Sequence, residues 1–289
     1  MPPSQFMYLD GHTVVYPESS CESKRLFNVY RMFRQNCFTR RKFVSGALYG
    51  FLYDNLVQII SPKKGKIIRL IVMLKSSDGK AVKYSQVKIV YDPSSTGKYL
   101  VACNFLAKSL SSQAGITCRH KKHDLGKMRV FGYGKKQSGE NGIYKITYQN
   151  RRTEDDISKV AQLCRQYYSE CGLQEEIRDI EENSNNPIIP LMKGCICSRI
   201  VQSENLMNSA HFDVNDTGRC IATFTEHKVG EASGWYFILP NVTIDGKRGI
   251  AIELHHGVTV AWDGRVIWHC SSVSDIKPDN SVHGTFVAA

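Results

Sequence analysis

The stretch Val258-Thr259-Val260-Ala261-Trp262-Asp263-Gly264-Arg265-Val266-Ile267-Trp268-His269 decides how the second half of the chain is read. Residues 258–262 are mostly β-branched and aromatic, and Asp-Gly is one of the dipeptides that tolerate the positive φ angles of a two-residue hairpin turn. The pattern therefore predicts a hairpin whose return strand carries His269. Working outward, residues 219–225, 234–241, 249–254 and 266–271 form further short apolar runs, with Gly, Asn and Asp between them. Short strands at near-regular spacing with turn residues between them predict a jelly-roll or barrel.

Upstream of these runs stands His211-Phe212-Asp213. On an extended segment, side chains at i and i+2 leave from the same face, so His211 and Asp213 reach toward one cation. With His269 they make a two-histidine, one-carboxylate set, the donor combination that holds Fe(II) and leaves three adjacent positions open for other ligands. A bare His-x-Asp triplet is common by chance, and most such histidines are surface or core residues. The β-rich frame around it raises its weight.

The order His211-x-Asp213, then Trp262-Asp263-Gly264-Arg265, then His269-Cys270-Ser271, resembles the double-stranded β-helix of Fe(II) and 2-oxoglutarate-dependent oxygenases, and within them the TET/JBP-like branch that oxidises methyl groups on nucleic-acid bases. The resemblance covers roughly Cys195 to the C-terminus. It implies Fe(II) held by His211, Asp213 and His269, a 2-oxoglutarate co-substrate, and 5-methylcytosine in DNA as the target. It also implies a basic residue about ten positions past the distal histidine, with a serine two residues later. The matching positions are Asp279 and Ser281, so the serine fits and the cation is replaced by a carboxylate.

A carboxylate there turns a charge-assisted contact into repulsion. Lys277, Arg265 or Arg219 is then the candidate cation, unless the co-substrate differs or the site is inactive. A branch of algal TET homologues is similar in carrying His-x-Asp-x-x-Asp and uses ascorbate to place a glyceryl group on 5-methylcytosine. This chain has that spacing as His211, Asp213 and Asp216, which makes Asp216 a candidate co-substrate residue. Its plainer role is a turn-forming Asp ahead of Thr217-Gly218.

Charge is divided unevenly. Residues 1–152 hold 27 Lys and Arg against 8 Asp and Glu, a net +19, and residues 153–289 hold 11 against 19, a net −8; together they give the +11 of the whole. Such asymmetry points to a polyanionic partner, because phosphate neutralisation releases counterions and steers encounter. Nucleic acid, DNA for preference, is the expected partner. In residues 24–43 an apolar stripe of Leu26, Val29, Tyr30 and Phe33 predicts a helix with Arg31 and Arg34 facing away; Arg40 and Arg41 follow it. Residues 119–136 read as a mobile gripping loop, with Lys121, Lys122, Lys135 and Lys136 as candidate phosphate contacts. Each of these cations has the alternative of a solvated turn or helix face.

The remaining features bound the class. Residues 67–74, 82–91, 99–106 and 142–148 read as strands, and Asp78-Gly79 marks a hairpin between the first two. Thr153-Glu154-Asp155-Asp156 opens a helix by a capping pattern, and an acidic helix over 173–182 follows, both expected to brace the β structure. Ten cysteines without a Cys-x-x-Cys repeat, and no apolar leader, predict reduced thiols in a nuclear or otherwise intracellular protein that is not secreted. Cys118, His120 and His123 lack the second half that a zinc site needs. His255 and His256 alternate across a strand, so one of them is a candidate pocket residue beside Trp235 and Tyr236, whose better assignment is core.

The expectation is an α+β chain with a double-stranded β-helix (jelly-roll) core. Residues 1–152 form a basic N-terminal region with strands and nucleic-acid contacts, 153–186 the bracing helices, and 187–289 the catalytic core, with one continuous domain as the alternative. The expected activity is that of an Fe(II)-dependent dioxygenase using 2-oxoglutarate or ascorbate on a methylated base. The alternatives are a protein or small-molecule hydroxylase of the same fold, and a catalytically inactive nucleic-acid-binding homologue.

Overall fold

A computed structural model describes residues 8–9, 12–17, 58–75, 82–91, 125–135, 144–146, 151–184, 196–197, 199–208, 211–213, 216–244, 247–272, 276 and 279–288. In chain order the strands are β1 (Tyr8–Leu9), β2 (His12–Pro17), β3 (Gln58–Ile60), β4 (Lys66–Lys75), β5 (Val82–Tyr91), β6 (Leu125–Lys135), β7 (Tyr144–Ile146), β8 (Arg199–Met207), β9 (Cys220–Glu226), β10 (Tyr236–Ile244), β11 (Lys247–Glu253), β12 (Val258–Trp262), β13 (Cys270–Ser271) and β14 (Val282–Ala288). Two helices, α1 (Arg151–Glu170) and α2 (Gln174–Ser184), separate β7 from β8. The described residues are mostly β.

Hydrogen bonding runs β2-β4-β5-β12-β9-β14-β8-β6-β7 through one larger sheet and β3-β11-β10 through a smaller one, with β13 on β10 and a short β2–β10 pairing joining the two. The strict side-chain alternation of β5, β9 and β12 divides the larger sheet into two apolar faces. Val87, Ile89, Ala222, Phe224, Val258, Val260 and Trp262 pack with Phe237, Leu239, Ile250 and Ile252 of the smaller sheet in one core. On the other face Val90, Ile221, Ala261 and Val287 meet Val160, Cys164, Tyr167, Tyr168 and Ile177 of the helices. Both faces of β9 and β12 are covered, so all twelve of their residues are buried.

The hairpin expected at Asp78-Gly79 is present in its pairing, since β4 and β5 run antiparallel from Lys66↔Tyr91 to Lys75↔Val82. The one expected at Asp263-Gly264 is not. β12 lies between β5 and β9, and the chain after Trp262 makes a helical turn in which the Asp263 carbonyl accepts from the Val266 and Ile267 amides at 3.3 and 3.0 Å. Both edges of β12 are already paired, so a return strand has no place to form. The strand expected over 266–271 contracts to β13 and one bridge at His269.

The gripping loop expected over 119–136 is corrected in the same way. Its residues 125–135 form β6, which pairs with β8. Lys135 ends that strand, whereas Lys121, Lys122, Lys136, Arg31, Arg34, Arg40 and Arg41 lie outside the described residues, as do the expected strand over 99–106 and Cys118, His120 and His123. Among the described residues Cys164, Cys171, Cys197, Cys220 and Cys270 are buried thiols. No described helix is long and apolar enough to cross a membrane.

Candidate metal centre

His211 and His269 face each other in an isolated antiparallel bridge, each amide donating to the other's carbonyl at 3.1 and 3.2 Å. Two residues on, the Asp213 amide donates to the Gly264 carbonyl at 2.8 Å. The turn after β12 thereby anchors the segment that carries the first two candidate ligands. One ring nitrogen from each histidine and one Asp213 carboxylate oxygen lie within 4.8 Å of one another, a spacing that one metal ion can bridge. His269 Nε2 is 3.1 Å from Asp213 Oδ2, and His211 Nε2 is 3.4 Å from Oδ1.

The ring of His269 is oriented on three sides. Its Nδ1 stands 3.0 Å from the Ile267 carbonyl, which only accepts, so Nδ1 keeps a proton and Nε2, which faces Asp213, is the nitrogen that would bind a metal. Phe237 stacks on the ring at 5.6 Å and Trp262 tilts against it at 5.0 Å. For Asp213, burial alone raises the carboxyl, but its hydrogen bonds and attraction to the two imidazoles outweigh that and hold it well below the usual carboxylate range. The donor set of two imidazole nitrogens and one carboxylate suits a divalent transition metal, and Fe(II) is consistent with it.

Asp213 also stands within 4.8 Å of Asp216 and Cys220 through their ligand-type atoms. The Cys220 thiol donates to Asp216 Oδ2 at 3.0 Å. Burial pushes that thiol up, and the Asp216 and Asp213 carboxylates push it further, so it remains a protonated donor. Asp216 is itself buried, and its amide closes a turn on the Asp213 carbonyl at 3.0 Å. It is both the turn former and a carboxylate beside the centre.

Two of the proposed anion-binding cations are engaged elsewhere. Arg265 places Nε and Nη2 on the Asp263 carboxylate at 2.9 and 2.8 Å and Nη1 on the Thr217 carbonyl at 2.6 Å. Arg219 donates from Nη1 to Glu176 at 3.0 Å, while its amide donates to Asp179 at 2.9 Å. Both arginines tie the 213–219 segment to its supports. Lys277 lies outside the described residues.

Asp279 and Ser281 precede β14, whose first residue, Val282, pairs with Glu226 and whose last, Ala288, pairs with Cys220. They therefore lie at the end of β9 away from the triad. There Asp279 pairs with Lys228, and Ser281 Oγ is 2.7 Å from His283 Nε2. Between the triad and that end the core is aromatic: Phe237 contacts Trp262 at 4.7 Å and Phe224 at 6.1 Å, and Phe224 contacts Trp235 at 5.4 Å and Phe286 at 6.0 Å.

No family model matches this sequence, and no curated protein matches it. Among solved structures the chain is similar to NgTET1 in complex with 5mC DNA, at 12% identity with a TM-score of 0.48, over 92% of this chain and 88% of that one.

Trp235 and Tyr236 are core residues, 3% and 7% exposed. His255 and His256 precede Val258, at the end of β12 away from Gly264, so neither serves the centre. His255 stacks on Tyr91, and the His256 Nδ1 accepts the Glu226 amide at 3.0 Å. Sequence reasoning read Gly264 as a hairpin-turn residue and Arg265 as a candidate cation; the structure places Gly264 against Asp213 and Arg265 on Asp263 and the Thr217 carbonyl. The signal for both was their place in the turn between a buried strand and a candidate ligand histidine.

Proposed function

We propose that this chain is an Fe(II)-dependent oxygenase acting on a methylated nucleic-acid base, 5-methylcytosine in DNA, from a double-stranded β-helix. The observation that carries the reading is the convergence of His211, Asp213 and His269 across a two-strand bridge. The strand order supports the β-helix. β8, β14, β9 and β12 are neighbours in the larger sheet, the bridge, β13, β10 and β11 follow one another in the smaller one, and the chain passes repeatedly between the two.

Bound iron supplies the activation of dioxygen that a methyl group requires. The chain's own residues hold and orient: Ile267 sets the His269 tautomer, Phe237 and Trp262 fix its plane, and Gly264 fixes Asp213. The methyl of 5-methylcytosine lies on the major-groove edge of a stacked base and is not delivered to a metal centre from there, so the substrate base must leave its stack or belong to a single strand. The charge asymmetry supports a nucleic-acid partner. Of the two co-substrates, ascorbate suits this centre better. The aromatic packing below the triad and the engagement of Arg219 and Arg265 disfavour a buried distal carboxylate.

Anaerobic titration with Fe(II), followed by 2-oxoglutarate or ascorbate and mass spectrometry of 5-methylcytosine DNA, tests this. Stoichiometric iron binding abolished by His211→Ala, with turnover supported by ascorbate, is the expected result. Turnover with 2-oxoglutarate instead corrects the co-substrate. Absence of iron binding by the wild-type chain overturns the oxygenase and leaves a basic nucleic-acid-binding homologue.

A further inference from the structure

β12 and β5 run antiparallel from Val258↔Tyr91 to Ala261↔Lys88, and there their pairing ends. β12 then enters the turn whose Gly264 carbonyl holds Asp213, so the Lys88 end of this pairing is the end nearest the triad. β5 does not stop with it. Residues 82–87 continue in the same direction, paired with residues 70–75 of β4, and at about 3.4 Å per residue this overhang extends roughly 20 Å beyond β12. Along its β12-side edge no described strand pairs with residues 82–87.

The composition of this ribbon is one-sided. β4 and β5 contain Lys66, Arg69, Lys75, Lys83 and Lys88, and no Asp or Glu. Lys88 is buried on Glu176, and Lys83 is the exposed cation of residues 82–87. Beside Lys83, Tyr84 is 64% exposed, a large aromatic surface left in water on a regular strand. Consecutive strand residues leave opposite faces, so an extended ligand lying over this edge meets an ammonium on one side and a phenol ring on the other. Cation plus aromatic platform along a narrow edge is how single-stranded nucleic acid is held without base readout.

We propose that the β4–β5 overhang is an arm that grips a single strand of nucleic acid beside the metal centre, with Lys83 on a backbone phosphate and Tyr84 stacked on a base; this rests on the nucleic-acid reading above. The ligand class is a single-stranded polynucleotide. A duplex offers phosphate but no free base face to Tyr84.

The test is fluorescence anisotropy of a labelled oligothymidylate, and of a duplex of the same length, at several salt concentrations. The proteins are the full chain and its Lys83→Glu, Tyr84→Ala and Lys63→Glu variants. Lys63 is exposed near the opposite end of the ribbon and is the charge control. Lys83→Glu is expected to weaken single-strand binding about tenfold and to lower the salt slope by about 1. Tyr84→Ala is expected to weaken the single strand several-fold, with little change in slope or in duplex affinity. Variants that melt as wild type and bind as tightly as Lys63→Glu overturn the arm while leaving the nucleic-acid partner in place. A wild-type chain that binds neither oligonucleotide overturns both, whatever its iron affinity.

Discussion

Gly264 and Asp213 are in contact twice: the glycine carbonyl takes the aspartate amide at 2.8 Å, and a Cβ built on Gly264 would lie 2.6 Å from Asp213 Oδ2 and 3.1 Å from its Cβ. The position excludes a side chain because the carboxylate of this candidate ligand fills the space. In Gly264→Ala the carboxylate must rotate away, which costs the fold only about 1–3 kcal/mol but removes Asp213 from the shared focus with His211 and His269. Iron affinity is expected to fall more than tenfold while the variant still melts cooperatively. Calorimetric titration with Fe(II) beside a thermal melt checks this; unchanged affinity would separate Gly264 from the centre.

How much of this was legible in the sequence follows from how each element is stabilised. β12 and residues 87–90 of β5 coincide with their apolar runs because both faces of the chain are covered there and β-branched residues fill most of the positions. β8 was illegible, since Gln202, Ser203, Glu204 and Asn205 break any alternation, and Asn205 takes a positive φ opposite Gly126 where the β6–β8 register shifts. β14 was hidden by Gly284, whose absent Cβ leaves room for the Phe286 ring and Ser203 Oγ. The three candidate ligands were readable as residue types. That Asp263-Gly264 makes a helical turn rather than a hairpin was not, because the competitor for β12's edge, β5, lies more than 150 residues earlier.

Arg265 joins the two segments that carry the candidate ligands, with Asp263 on one side and the Thr217 carbonyl on the other. Its guanidinium side chain is 38% exposed, so its removal exposes little apolar core. Arg265→Met is expected to weaken Fe(II) binding about tenfold, through a looser 213–217 segment, with a stability change near 1 kcal/mol. Arg265→Lys keeps the charge without the planar fork and is expected to recover only part of the affinity. Competition for Fe(II) against a chelator, with urea melts of the metal-free proteins, separates the two effects.

Burial pushes the His283 imidazole down from 6.5 to about 4, and the neighbouring His227 adds to the shift. The fold therefore prefers His283 neutral. The stability this contributes is complete above pH 6.5, declines as pH falls toward 4, and amounts to about 3 kcal/mol over that window. His256 is lowered too, chiefly by its burial, and acts with the same sign. Urea melts of wild type and His283→Gln across pH 4 to 7 are expected to converge toward the acid end, where protonation removes the wild-type advantage. A constant difference between the two would exclude this titration.

Lys88 and Glu176 form an ion pair at 2.9 Å with side chains 2% and 0% exposed, and Glu176 also accepts from Arg219 at 3.0 Å. One carboxylate thus links α2 to β5 and to the residue that precedes β9, one turn away from Asp216. Lys88→Met leaves Glu176 buried with a single, partly exposed partner, a loss of about 3–5 kcal/mol. Replacing the pair together, as Lys88→Met with Glu176→Leu, removes both desolvation penalties and is expected to restore most of that loss. The double variant still lacks the Glu176 anchor for Arg219, so its iron affinity is expected to stay below wild type even where its urea midpoint recovers. A double variant equal to wild type in both measurements would mean that the Asp179 contact alone holds the Arg219 segment in place.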